Sequence, residues 1–208
     1  MELIEAYKKN PCGVLSIPYW KSKNVYIPEN MRIVHDAEYI KTDYQDYHDE
    51  PYFRLYHTLE DVRTITAEDI SIITARQKDI PLLVDAINRS YSDLSVTIEQ
   101  LSGYTKTKVY CPELWIYAVD HETSRIAGCG IADFDKEISE GILEWIQVLP
   151  AYRRKGIGRL IVNELLKRMV GVASFATVSG KVNNPTSPDM LYRKCGFTGD
   201  DIWHILTK

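Results

Sequence analysis

The order of apolar patterns along the sequence predicts an α/β fold of the α+β kind. It is a mixed, mostly antiparallel central sheet with helices on both faces. Three observations carry this. Two apolar runs, 114–119 and 126–132, flank a short polar turn and read as a hairpin. Two longer segments, 80–91 and 157–170, repeat apolar residues at helical spacing. Short β-rich runs come before and after these helices, so strands and helices share one layered core.

The first 67 residues differ in texture. Eight of the fourteen tyrosines lie there, with Trp20, three of the five histidines and the turn-favouring Pro18, Pro28 and Pro51. Alternation in Val14-Leu15-Ser16-Ile17 and in Tyr52-Phe53-Arg54-Leu55-Tyr56 predicts short strands. The acidic, aromatic stretch 43–51 has neither period and reads as a loop. Its tyrosines either pack on the main domain or form a wall of a substrate site. Residues 1–67 are expected to be a tyrosine-rich extension packed on a main domain of residues 68–208.

From residue 68 the pattern is regular. Ile70-Ser71-Ile72-Ile73 reads as a strand. Asp79 can cap a helix with Ile80, Leu83, Val84, Ile87 and Tyr91 on one face. Leu114 to Val119 is a strand, residues 120–125 turn the chain, and Ile126 to Ala132 returns as the partner. Gly141 to Val148 is a further strand. Residues 157–170 form a helix with Ile157, Leu160, Ile161, Leu165 and Met169 on its buried side. Ser174 to Val178 is a strand, Met190 to Lys194 a short helix stopped by Gly196, and Ile202 to Leu206 a last strand.

The turn Pro150-Ala151-Tyr152-Arg153-Arg154-Lys155-Gly156-Ile157-Gly158 joins the strand ending at 148 to the helix. Such a junction is an anion site, because the first amides of a helix lack internal partners and its dipole adds positive potential. Gly156 and Gly158 allow close approach to the backbone, and three cations surround the same point. The third glycine of a dinucleotide fingerprint is missing, and no Gly-Lys-Ser/Thr follows as in a P-loop.

Arg153-x-x-Gly156-x-Gly158 resembles the Gln/Arg-x-x-Gly-x-Gly/Ala signature of the GCN5-related N-acetyltransferase (GNAT) superfamily. Leu191-Tyr192-Arg193-Lys194-Cys195-Gly196-Phe197 resembles its second signature, Leu-Tyr-x-Lys-x-Gly-Phe. The resemblance covers residues 68–208 and implies splayed strands with acetyl-CoA between them. Ile146, Gln147 and Val148 would line the pantetheine arm. Arg153, Arg154, Lys155, Gly156, Ile157, Gly158 and Arg159 would hold the pyrophosphate, mainly through main-chain N–H groups. Asn183 and Asn184 both stand where the family has a cofactor-contacting asparagine, in a segment about a residue longer than usual, with Pro188 where alanine is common.

The implied reaction moves an acetyl group from acetyl-CoA to a primary amine by direct attack in a ternary complex. The amine must lose a proton, the thioester oxygen needs a hydrogen bond as it gains charge, and the thiolate benefits from a donor. The resemblance offers Val148 N–H for the oxygen. Glu144 is either the base or a site for the substrate cation; strand alternation would put it on the face of Ile146 and Val148. Ile142, the other position where relatives carry an acid–base group, cannot do this chemistry. Tyr192 is either the acid facing the CoA sulfur or a core tyrosine. His121 is expected in an exposed turn and His204 in a structural role.

Composition bounds the rest. A net charge of −4 and pI of 5.8 argue against a nucleic-acid partner. The four cysteines form no metal or redox motif, and no metal is expected. No export signal opens the chain, and no apolar run approaches the ~18 residues of a membrane span, so a cytoplasmic enzyme without a membrane partner is expected. Its acceptor would be a small-molecule or peptide amine, and a homodimer is an open assembly. A different reading, an acyl-CoA-binding sensor without turnover, would keep the phosphate turn but not need Glu144 or Tyr192.

Overall fold

Where the apolar period is strong, the chain folds as its pattern predicts. The computed structural model describes residues 2–14, 16, 27–91 and 94–208. In chain order the elements are α1 (Glu2–Lys9), β1 (Met31–His35), β2 (His48–His57), β3 (Ile70–Thr74), α2 (Ile80–Ser90), α3 (Ile98–Tyr104), β4 (Trp115–Asp120), β5 (Ile126–Asp135), β6 (Glu140–Val148), α4 (Ile157–Met169), β7 (Phe175–Lys181), α5 (Pro188–Lys194) and β8 (Thr198–Thr207). This is a mixed α/β fold with mostly antiparallel strands. Among the described residues, no helix is long and apolar enough to cross a membrane.

Two compact units divide the chain: residues 58–176 with 194–196, and residues 1–57 with 177–193 and 197–208. In the first, strands run in the order β6-β5-β4-β3. The β4–β5 hairpin places Ile116 opposite Gly130 and Tyr117 opposite Cys129. Its turn is fixed by the Asp120 carboxylate, which accepts from the Thr123 N–H at 2.8 Å.

Helices cover both faces of these strands. Ile80, Leu83, Val84 and Ile87 of α2 are buried with Trp115, Cys129 and Ile131. Each such side chain is worth roughly 1.5–3 kcal/mol relative to exposure. On the other face, α4 comes close because β5 has glycines there. A Cβ at Gly130 would lie 2.5 Å from Ile161 Cγ2, and one at Gly128 3.1 Å from Ile161 Cδ1.

One local expectation changes here. The Asp79 side chain does not cap α2; it accepts from the Arg76 N–H at 2.9 Å and closes the turn before the helix. After α2, Thr97 and Gln100 exchange side-chain-to-backbone bonds, a capping box that starts α3.

The second unit has the strand order β1-β8-β2-β7. Strand β2 includes Tyr52–Tyr56 as expected, but it begins at His48, so the last four of the nine predicted loop residues are strand. A hydrogen bond and an ion pair explain how so polar a stretch is held. His204 Nδ1 meets Asp49 Oδ1 at 2.9 Å, and Lys181 Nζ meets Glu50 at 2.8 Å. Pro51 fits because its carbonyl accepts from Val182 N–H at 2.9 Å, while its missing N–H asks for no partner. The strand expected at 14–17 lies partly outside the described residues; Val14 is in a turn.

Candidate functional site

Strand β6 delivers the chain to the phosphate turn. Leu149 is buried, and its N–H donates to the Ala127 carbonyl at 2.9 Å. Alternation then points the Val148 N–H and carbonyl away from β5. Residues 150–152 make one 3-10 turn, which uses the N–H groups of Tyr152 and Arg153. Arg154 follows at φ +65 and Gly156 at φ +84, both left-handed. Such turns orient successive N–H groups toward one point.

Helix α4 starts immediately after. Its first internal bond runs from Leu160 N–H to Gly156 carbonyl, 3.0 Å. The N–H groups of Ile157, Gly158 and Arg159 therefore precede any helical acceptor. Nothing lies within 4 Å of where a Gly156 Cβ would be. The space beside the glycine is open, and the conformation itself demands glycine. A diphosphate fits this junction, with open N–H groups, a bare backbone and the exposed Arg154, Lys155 and Arg159 around it.

The cations of the turn have different tasks. Arg153 donates through Nε to the Val148 carbonyl at 3.2 Å and through Nη2 to the Ser90 carbonyl at 2.9 Å. Its guanidinium thus ties the end of β6 to the last residue of α2, where helix carbonyls lack internal donors. Lys155 Nζ lies 5.4 Å from the centre of the Tyr152 ring, and the Tyr152 hydroxyl is 3.0 Å from Thr123 Oγ1.

The strand before the turn is not regularly alternating. Gly130 faces Ile146 and Ile131 faces Trp145, but Ala132 faces Leu143, a register shift that leaves Glu144 as an extra residue. Cross-strand partners share a face, so Leu143, Ile146 and Val148 lie together on the side of Gly128 and Gly130. Glu144 and Trp145 both fall on the opposite side, with Ile131 and Asp133. Simple alternation therefore misplaces Glu144, which does not share a face with Ile146 and Val148. The side chain of Gln147, on the same side as Trp145, donates to the Tyr91 hydroxyl at 2.8 Å. Tyr91 and Trp145 pack edge to face, 6.3 Å between centres.

Sequence reasoning missed Asp133, which stands opposite Ile142 in register. Burial, with the negative Glu144 as the second cause, pushes its carboxyl up to about 7. Glu144 itself is exposed. The apolar run ending at Ala132 gave no reason to extend β5 to Asp133.

Two cysteines in this unit are poorly suited as nucleophiles. Burial pushes Cys129 up to about 12 and Cys195 to about 11, so both hold their protons at neutral pH. Cys195 Sγ also accepts from Asn163 Nδ2 at 3.2 Å.

The remaining predicted residues belong to the second unit. Tyr192 is buried in α5, 6.1 Å from the Phe53 ring and 5.8 Å from that of Phe197. Asn184 Oδ1 accepts from the N–H of Thr186 at 2.9 Å and its hydroxyl at 2.7 Å, fixing the turn before α5. Asn183 is exposed. His204 is held between Asp49 and Asp36 and stacks on Tyr39 at 3.7 Å. In the first unit, His121 is exposed in its turn and meets Ser71 at 2.6 Å.

Comparison with known proteins places this geometry. Residues 112–199 match the family model described as an acetyltransferase (GNAT) domain. A search among curated proteins finds no match. Among solved structures, the chain is similar to a GCN5-related N-acetyltransferase from Sphaerobacter thermophilus, with TM-score 0.72 and 16% identity, over 96% of this chain and 70% of that one. It is similar to an acetyltransferase of the GNAT family from Colwellia psychrerythraea, with TM-score 0.59 and 17% identity, over 85% and 64%. It is also similar to the ribosomal-protein-S18-alanine N-acetyltransferase of Escherichia coli, with TM-score 0.53 and 18% identity, over 66% and 91%. At these identities the structural likeness establishes a shared fold.

Proposed function

From a GNAT acetyltransferase domain matched over residues 112–199, on a chain with the fold of GNAT structures, we propose that this protein transfers an acetyl group from acetyl-CoA to a primary amine. The observation that carries the reading is the junction of β6 and α4. There a left-handed glycine with open space beside it precedes the unpaired first N–H groups of a helix.

The strand geometry supports this division of roles. The N–H groups of Ile157, Gly158 and Arg159 bind the diphosphate, with Arg154 and Lys155 adding charge. Ile146 and Val148 lie along the acyl-bearing arm. The Val148 N–H, pointing away from β5, donates to the thioester oxygen as it becomes negative. Attack is direct, a reading supported by the two buried thiols of this unit, which stay protonated. The acceptor is a small-molecule or peptide amine.

Calorimetric titration with acetyl-CoA, followed by a CoA-release assay across a panel of primary amines, tests the reading. Saturable acetyl-CoA binding together with amine-dependent CoA release is the expected result. Binding without release for every amine would instead favour a sensor of acyl-CoA.

A further inference from the structure

We propose that the Gln147 carboxamide positions the acceptor amine, its oxygen accepting from the one N–H that the product amide keeps, and so selects primary over secondary amines. The proposal rests on the transferase reading above and deepens it on the acceptor side.

Gln147 stands next to the reacting carbonyl. Its Cα and the Val148 N–H that would receive the thioester oxygen belong to one planar peptide unit. Its cross-strand partner is Cys129, which packs under α2, so its side chain rises on the α2 side of the sheet. The opposite side is taken by α4, which would meet a Cβ at Gly128 at 3.1 Å, and by the pantetheine arm along Ile146 and Val148. On the α2 side Trp145 is half-buried and Tyr91 is 37% exposed, which leaves an amine room to enter.

The carboxamide is fastened at one end and open at the other. Gln147 is only 5% exposed. Its Nε2 donates to the Tyr91 hydroxyl at 2.8 Å, and its Oε1 meets no donor among the described residues. Trp115 Nε1 is the single sealed side-chain polar atom without a partner among the described residues, so the Gln147 oxygen reaches open space. An acceptor this sheltered and left unmet is costly unless a ligand N–H fills it.

The root of Tyr91 is fixed as well. Arg153 donates to the carbonyls of Val148 and of Ser90, the residue before Tyr91, at 3.2 and 2.9 Å. The Tyr91 ring packs edge to face on Trp145, 6.3 Å between centres. Tyr91 is thus a positioning residue for Gln147, and a closed ring of bonds through Gln147, Tyr91, Ser90, Arg153 and Val148 frames the reacting peptide unit.

The proton count gives the selectivity. A primary ammonium carries three N–H protons. The first leaves to water and frees the lone pair, which attacks the thioester carbonyl carbon. A C–N bond forms, the C–S bond breaks with its electron pair on sulfur, and the thiolate takes the second proton. The third stays on the product amide nitrogen, and this is the one that Gln147 Oε1 accepts. Nitrogen becomes positive during attack, so the bond is stronger in the transition state than in the bound amine. A secondary ammonium has two protons and loses both, so it keeps none for Gln147.

The test uses the full chain, acetyl-CoA, the most reactive primary amine of the panel and the N-methyl derivative of that amine. The native protein should prefer the primary amine in kcat/KM by roughly tenfold or more. Gln147→Met, similar in length but without the acceptor, should reduce this ratio at least about threefold, mainly through kcat, with the acetyl-CoA Kd within about twofold. Tyr91→Phe removes only a hydroxyl from a partly exposed ring and should reduce the ratio by less. A native protein that uses both amines alike overturns the assignment and leaves the transferase reading standing. So does a Gln147→Met protein that keeps the native ratio, whatever its rates, since a purely structural role would slow both amines equally. A Tyr91→Phe protein with the native ratio also overturns it, a result that does not depend on the Gln147 variant folding. A native protein that releases no CoA with any amine overturns the transferase reading itself, and this assignment with it.

Discussion

Asp133→Asn should make the protein more stable above about pH 4, by an amount that grows until neutral pH. The native Asp133 carboxyl is raised from 3.8 to about 7, chiefly by burial. In the unfolded chain it returns to its ordinary value. Below about pH 4 both states hold the proton and there is no difference. Between about 4 and 7 the folded protein keeps a proton that the unfolded chain loses, so native stability falls as pH rises. Above about 7 both are ionised, and the full cost of the sheltered charge is present. A rise of this size corresponds to at most roughly 4 kcal/mol, less whatever water at the half-buried carboxyl relieves. Asparagine has the same shape and cannot ionise, so it escapes this cost. Urea denaturation of both proteins at pH 5, 6, 7 and 8 measures it by linear extrapolation. The variant should be ahead of the native protein by roughly 1–1.5 kcal/mol at pH 5 and by roughly 2–4 kcal/mol at pH 8. A gap that stays constant across this range would refute the reasoning, because the carboxyl would then titrate alike in both states.

Other outcomes follow from the turn and its neighbours. Gly156→Val should weaken acetyl-CoA binding by roughly 1–3 kcal/mol, through the left-handed backbone at φ +84, and Gly156→Ala by less; titration calorimetry reads both. Arg153→Lys should lower Tm and acetyl-CoA affinity despite keeping the charge, because one ammonium cannot reproduce the fork on Val148 and Ser90. Cys195→Ser should retain turnover in the CoA-release assay, since the thiol is held protonated, and a loss with the fold intact would favour an acyl-enzyme.

The legible parts of the fold are those where burial imposes a period. The α2 and α4 faces and the β4–β5 hairpin bury continuous apolar sets, and their positions in the sequence mark them. Polar stretches hid what distant partners hold. The start of β2 depends on His204 and Lys181, more than a hundred residues away, and β1 pairs with β8 at the opposite end of the chain. The candidate site divides in the same way. Glycines beside basic residues at a strand–helix junction are a local pattern and can be read directly. The neighbourhood of Asp133 and Glu144 depends on one extra residue in β6, and alternation carries no sign of it. Arg153 looks like a ligand for phosphate in sequence, yet its side chain is held by a carbonyl 63 residues earlier.

That last bond makes one side chain a fastener between two element ends. Through the Val148 and Ser90 carbonyls, the Arg153 guanidinium holds the close of β6 and the close of α2 in one frame. The turn between β6 and α4 therefore takes its position from a helix far earlier in the chain as well as from the strand that leads into it.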